Sequence, residues 1–238
     1  MKREVLITGA ASDIGIAICL KYLSKGYRVL GLYNQGQPAL TRLAKEHSNL
    51  TLNPLDFVSP QNIEDFIQKE QSRLNACEII IHAAALVEPV SFFDMTAENL
   101  FKAFTINVIP SILLTRTLVP TMLERGWGRI VNLSSIGVKY GGGGKTFCYS
   151  LSKHALEFFP QDHKAWAASN VFINTLRVGV TDTRMHKVDP DKDMSERVSM
   201  IPIQRMATPE EIAKTVYWLG SEQNSFITGQ VITAAGGE

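Results

Sequence analysis

Cysteine is scarce in this 238-residue chain: three, Cys19, Cys77 and Cys148, far apart and in no C-x-x-C pairing. That excludes a disulfide scaffold and a cysteine-ligated metal site, and it predicts reduced thiols in a cytoplasmic protein. A dominant charge is also absent. Lysine and arginine total 24 against 23 acids, a formal net charge of +1, so no field favours nucleic acid or a membrane surface. No apolar run approaches the roughly 20 residues of a membrane span, and no charged start leads into a long apolar leader region. There is no internal repeat, and low complexity is confined to Gly141–Gly144.

What is present is alternation. Short apolar runs at 4–7, 28–33, 50–55, 78–83, 129–134, 171–177 and 230–234 read as strands. Helical stretches lie between them, at 15–25, 38–47, 60–73, 97–122, 149–168 and 209–220. The strands are almost continuously apolar, as strands covered on both faces are, and strand–helix alternation predicts a parallel sheet. With right-handed crossovers the expectation is one α/β domain over residues 1–238. It would be a doubly wound Rossmann-type sheet of about seven strands, with helices on both faces and ligands at the carboxyl ends of the strands. Ser59–Pro60 and Thr208–Pro209, the latter with Glu211, read as helix starts; Thr96 with Asn99 is a weaker one. Pro160 must kink or divide the 149–168 helix.

The first strand runs into TGAASDIG, Thr8 to Gly15. Gly9 can take a tight turn, and Gly15 lets the following helix pack close, so that its first amides face a phosphate. The spacing is not G-x-G-x-x-G, and Asp13 puts a carboxylate where a pyrophosphate would sit. Asp13 directly precedes Ile14 and is a natural N-cap; the expectation is that it turns toward the helix amides or solvent. The second strand ends in Tyr33, Asn34 and Gln35. No acid there would hold a ribose 2′-hydroxyl or repel a 2′-phosphate, so NADP(H) is favoured and NAD(H) remains possible. Lys2, Arg3 and Arg42 are the candidate cations for that phosphate.

YSLSK places Tyr149 and Lys153 one helical turn apart on one face. A nearby ammonium favours phenolate and lowers the tyrosine pKa from about 10, so that the pair can exchange protons near neutral pH. Ser135 ends a strand fourteen residues earlier, at the carboxyl edge of the sheet, where its hydroxyl can donate to a substrate oxygen. Asn107 is expected in mid-helix, a position asparagine does not favour without a side-chain task.

In order and spacing, TGAASDIG, Asp56 in PLDF, INV, GRIVNLSS, YSLSK, INTLRVGVTDT, TPEEIA and FITGQVITAAGG resemble the short-chain dehydrogenase/reductase family over almost the whole chain. The resemblance implies that Tyr149 is the acid/base and that Lys153 binds the nicotinamide ribose and lowers the tyrosine pKa. It implies that Ser135 orients the carbonyl or alcohol and that Asn107 holds a relay water. Asp56 would meet the adenine and Thr183 the carboxamide end. The rest of the implied dinucleotide site is Gly9, Ser12, Asp13, Ile14 and Gly15 in the first turn, Tyr33 and Asn34, then Ala83, Ala84 and Gly179. No metal is implied. The activity implied is alcohol–ketone interconversion by hydride transfer, with a 3-oxoacyl carrier-protein reductase as the nearest type and a sugar or secondary-metabolite dehydrogenase as the other. A homodimer or homotetramer is expected.

Four positions depart from the family pattern: Asp13 for a glycine, His82–Ala85 (HAAA) for Asn-Asn-Ala-Gly, Val178 before Gly179 for proline, and Ala235 for an acid. Ala85 stands near the adenosine ribose, where backbone approach would be altered. These motivate a rival reading, a catalytically silent dinucleotide-sensing or scaffolding protein. His82 is expected to be structural or to edge the cofactor. Trp166 is expected in the core. Pro160 and His163 disturb a helix that often lies in a family interface. Residues 182–202 resemble a substrate lid, with Arg184, His186 and Lys187 read as a solvated charge run.

Overall fold

The structure, a computed structural model, describes residues 3–187 and 194–238. Seven parallel strands form one sheet in the order β3-β2-β1-β4-β5-β6-β7. They are β1 Glu4–Thr8, β2 Arg28–Tyr33, β3 Leu50–Pro54, β4 Cys77–His82, β5 Gly128–Ser135, β6 Val171–Val178 and β7 Gln230–Ala234. The strand order reverses between β1 and β4, which opens a crevice at their carboxyl ends.

Helices cover both faces. On one lie α1 (Asp13–Ser24), α2 (Pro38–Glu46) and, entered last, α10 (Pro209–Leu219), packed on Val5, Ile7, Val29, Ile79, Ile81 and Val131. On the other, α3 (Pro60–Lys69), α4 (Gln71–Leu74) and α6 (Ile109–Arg125) cover Leu6, Leu30, Ile80, Ile130 and Ile173. Alternate residues of one strand thus feed opposite cores, which is why the strands show no polar alternation.

Local chemistry explains the helix boundaries. Thr208 and Glu211 form a reciprocal capping box behind Pro209, and Thr96 and Asn99 form another at the start of α5 (Ala97–Asn107). Ser59 precedes Pro60 as expected, but its hydroxyl makes no cap bond. The expected 60–73 helix is broken at Glu70. The expected 97–122 helix is two helices, broken at Val108. Pro110 cannot donate to the carbonyl four residues back, and so Asn107 sits at a helix end rather than in mid-helix. Pro160 divides the predicted 149–168 helix into α7 (Phe147–Ala155) and α8 (His163–Ala168). A further turn, α9, spans Met194–Ser199.

By length and mean hydropathy (1.4), Ala97–Arg125 is long and apolar enough to cross a membrane; 44% of its most apolar window is buried inside the protein. Its asparagines, serine, threonines and prolines, with Lys102 and Arg116, break it up, so it holds no unbroken apolar run of that length.

Candidate active site

The crevice is built from its backbone outward. Thr8 ends β1, and its Oγ1 accepts from the N–H groups of both Ala83 and Ala84 at 3.1 Å. Gly9 follows with φ +68°, and a Cβ there would lie 2.7 Å from the Ala84 backbone. The first turn and the loop after β4 therefore approach as closely as backbones can, which only glycine permits. A Cβ on Gly15 would lie 2.1 Å from the Gly9 carbonyl oxygen. Ser12 closes the turn: its hydroxyl donates to the Gly9 carbonyl at 2.8 Å and accepts from the Gly15 N–H at 2.9 Å. Behind it stands the N-terminus of α1, with Ile14 packed on the core.

Ser12, not Asp13, is thus the N-cap. Asp13 is the first helical residue, and its carboxylate turns away from the helix amides. Its Oδ2 accepts from the Arg184 backbone N–H and its Oδ1 from Arg184 Nε, both at 2.8 Å. The expected helix-amide contact is replaced because the chain brings a guanidinium to the turn. Arg184 stays partly solvated, its side chain 44% exposed, but it is paired: its Nη2 also donates to the Ala11 carbonyl at 3.0 Å.

At the other side of the crevice β5 delivers Ser135, whose hydroxyl accepts from Gly137 N–H at 3.1 Å and whose presence works to lower the pKa of the Tyr149 phenol. Tyr149 and Lys153 share α7. Lys153 is buried, and its Nζ donates to the Leu133 carbonyl at 2.8 Å and reaches the Ala84 carbonyl at 3.5 Å. Desolvation lowers its pKa to about 7, while desolvation of the Tyr149 phenol raises that group to about 12, against a smaller lowering by Ser135. The expectation that Lys153 lowers the tyrosine is not met in this state, because the ammonium is turned to backbone carbonyls and burial dominates.

Asn107 is buried and fully engaged. Its Oδ1 accepts from Leu86 N–H at 2.7 Å, and its Nδ2 donates to the Leu86 carbonyl at 3.1 Å and to Ser152 Oγ at 2.9 Å. His82 is buried with Nε2 3.0 Å from Thr115 Oγ1 and Nδ1 without a partner; burial lowers its pKa to about 3, so it is neutral. Among the described residues no cluster of three metal-ligating side chains occurs.

The remaining positions line the rim. Asp56 follows β3 and accepts from Val58 N–H at 3.0 Å. Tyr33 is partly buried and Asn34 exposed where β2 ends. Beside them a depression of about 550 Å³ is lined by Gly36, Gln37, Pro38, Thr41, Arg42 and Lys45. Arg42 is therefore at the β2 corner, but Arg3 is not. Arg3 precedes β1 and pairs with Glu78 and Glu222 at the opposite, amino end of the sheet. Lys2 lies outside the described residues. Gly179 donates to Ala234 at 2.9 Å, and a Cβ on it would lie 2.5 Å from Ala235 Cα. Thr183 is the second residue of the 182–202 segment read as a lid, of which 188–193 lie outside the described residues. Its backbone accepts from His186.

These parts fit a dinucleotide: a glycine-tight turn at a helix N-terminus, no acid at the β2 end, and two cations at the β2 corner. The chain matches the family described as "Enoyl-(Acyl carrier protein) reductase" over residues 9–238. The chain belongs to the short-chain dehydrogenase/reductase family. As a member it is an NAD(P)-dependent oxidoreductase. It is 30% identical over 239 residues to an acetoacetyl-CoA reductase of Rhizobium meliloti, covering 100% of this chain and 99% of that protein. It is also 30% identical to a 3-oxoacyl-[acyl-carrier-protein] reductase of Thermotoga maritima, covering 98% of this chain and 96% of the relative. A solved 3-oxoacyl (acyl-carrier-protein) reductase of Agrobacterium tumefaciens, with NADP bound, shares the fold with a TM-score of 0.86. It is 23% identical, over 99% of this chain and 94% of that one. Within this family frame, Thr8 and Ser152 are contributors that residue typing passed over. Their signals were adjacency, Thr8 preceding Gly9 and Ser152 lying inside YSLSK.

Proposed function

We propose that this short-chain dehydrogenase/reductase reduces a 3-oxoacyl thioester to the 3-hydroxyacyl thioester with NADPH. One observation carries the reading: Tyr149 and the buried Lys153 stand one turn apart on α7, with Lys153 Nζ donating to the Leu133 carbonyl of β5, the strand that ends in Ser135. The two relatives at 30% identity, both reductases of such thioesters and both matched end to end, support the substrate class. The acid-free end of β2, with Arg42 and Lys45 beside it, supports NADPH over NADH.

When bound, the reduced nicotinamide supplies the hydride. Ser135 donates a hydrogen bond to the substrate carbonyl oxygen. Tyr149, held protonated far above neutral pH, gives its proton to that oxygen as the carbonyl carbon is reduced. Lys153, with a pKa of about 7, holds the nicotinamide ribose and returns a proton toward the phenol. Asn107 pins the loop after β4 so that this set keeps its spacing. Asp56 and Thr183 meet the adenine and the carboxamide. Within a single domain, the described stretches 182–187 and 194–202 would flank the substrate as a lid. Phe101 on α5 and Ile112 on α6, 73% and 59% exposed, support a homodimer or homotetramer. The three free buried thiols support a cytoplasmic setting.

The test is NADPH consumption with acetoacetyl-CoA and longer 3-oxoacyl thioesters. Turnover is expected with NADPH well above that with NADH. Tyr149→Phe is expected to lower kcat by roughly 10²–10⁴-fold with NADPH still bound. Undiminished turnover in that variant overturns the assignment.

A further inference from the structure

The phosphate-binding turn of this chain carries a built-in anion. Asp13 occupies the first position of α1, where the helix end presents amides to a ligand anion. Ser12 takes the capping role, so the Asp13 carboxylate is not absorbed by the helix. A bare carboxylate at this point would oppose a pyrophosphate at the same helix end by like-charge repulsion. In this structure it is not bare. Both of its oxygens are held by one residue, Arg184, through the backbone N–H and through Nε, each at 2.8 Å. The same guanidinium donates to the Ala11 carbonyl of the turn at 3.0 Å.

The position of Arg184 is itself constrained. Just before it, Thr181 Oγ1 donates to the Gly179 carbonyl at 2.9 Å, and Asp182 N–H donates to Ala207 at 2.9 Å. The stem of the segment that follows β6 is thus anchored to the sheet on one side and to the phosphate turn on the other. Arg184 and Asp13 are 171 positions apart, so this contact is made by tertiary folding.

We propose that Arg184 is a cofactor-positioning residue: it cancels the charge of Asp13 and, through the same contacts, fastens the stem after β6 to the phosphate-binding turn. The inference rests on the dinucleotide reading of that turn. It makes cofactor affinity depend on the pair rather than on either residue. Asp13 is harmful only when Arg184 is removed.

A double-mutant cycle tests this, with NADPH affinity read by fluorescence titration of purified protein and the ligand-free melting temperature read beside it. Arg184→Gln is expected to weaken NADPH by about tenfold, within the range of coupling between contacting charged residues. Asp13→Asn is expected to bind NADPH at least as tightly as the native chain. The double variant is expected to return to within about threefold of native, a rescue that general destabilisation would not produce. The Arg184→Gln deficit is expected to shrink as salt rises, because the exposed acid is screened. An equal loss from Arg184→Gln in the native and Asp13→Asn backgrounds overturns the proposal, as does no loss in either. A native chain that binds neither NADPH nor NADH overturns the dinucleotide reading instead, so the two failures are distinct.

Discussion

Asn107 clasps Ser152 across two helices, Nδ2 to Oγ at 2.9 Å, while the same amide holds both backbone groups of Leu86. One side chain thereby joins the end of α5, the loop after β4 and the helix that carries Tyr149 and Lys153. Asn107→Ala leaves the Leu86 N–H and carbonyl without these partners. It is expected to lower unfolding stability by about 3 kcal/mol, against about 1 kcal/mol for Ser152→Ala, which spares Leu86. Urea unfolding of both variants checks the order. Equal effects would show that the Leu86 contacts are not what matters.

Burial of Lys153 ties stability to pH. Its pKa falls from 10.5 to about 7, so between these values the unfolded chain binds a proton that the folded chain gives up. Folding stability from this group therefore rises with pH across that window, and the full cost of burying the charge is felt below about pH 7. Lys153→Met is expected to raise the melting temperature most below pH 7 and to lose that advantage toward pH 10.5. A gain independent of pH would show that packing, not charge, sets the difference.

His82 works in the same direction at lower pH. Its pKa is pushed from 6.5 to about 3, so the stability tied to its neutral form is whole above 6.5 and falls as pH drops toward 3. The slope from one such group approaches about 1.4 kcal/mol per pH unit. His82→Asn, the residue type usual in the family at this place, is expected to flatten acid unfolding between those values. Identical acid profiles for the two proteins would mean that His82 is already protonated in the fold.

Much of this architecture was readable residue by residue. The apolar runs matched all seven strands: the central ones are buried on both faces and need no alternation to be seen, while the edge strands β3 and β7 are more exposed. The divided helix before β6 followed from Pro160 alone. The break at Val108 was also local, but Pro110 was passed over beside the long apolar stretch around it. The candidate set Asn107, Ser135, Tyr149 and Lys153 came from residue type, spacing and family resemblance, and the fold brings all four to the carboxyl side of β4 and β5.

Chain order and residue type sufficed for the parallel sheet and for its crevice, because strand burial, helix period and turn glycines act over a few residues. They did not say whom the polar groups would meet. Asp13 was open to the cap role until a residue far along the chain claimed its carboxylate, and Ser12 took the cap instead. Lys153 was expected to act on a tyrosine one turn away, yet it donates to carbonyls of β5 and of the loop after β4. Hydrogen bonds and desolvation depend on distances and burial across the whole fold, and those exist only once the strands have assembled.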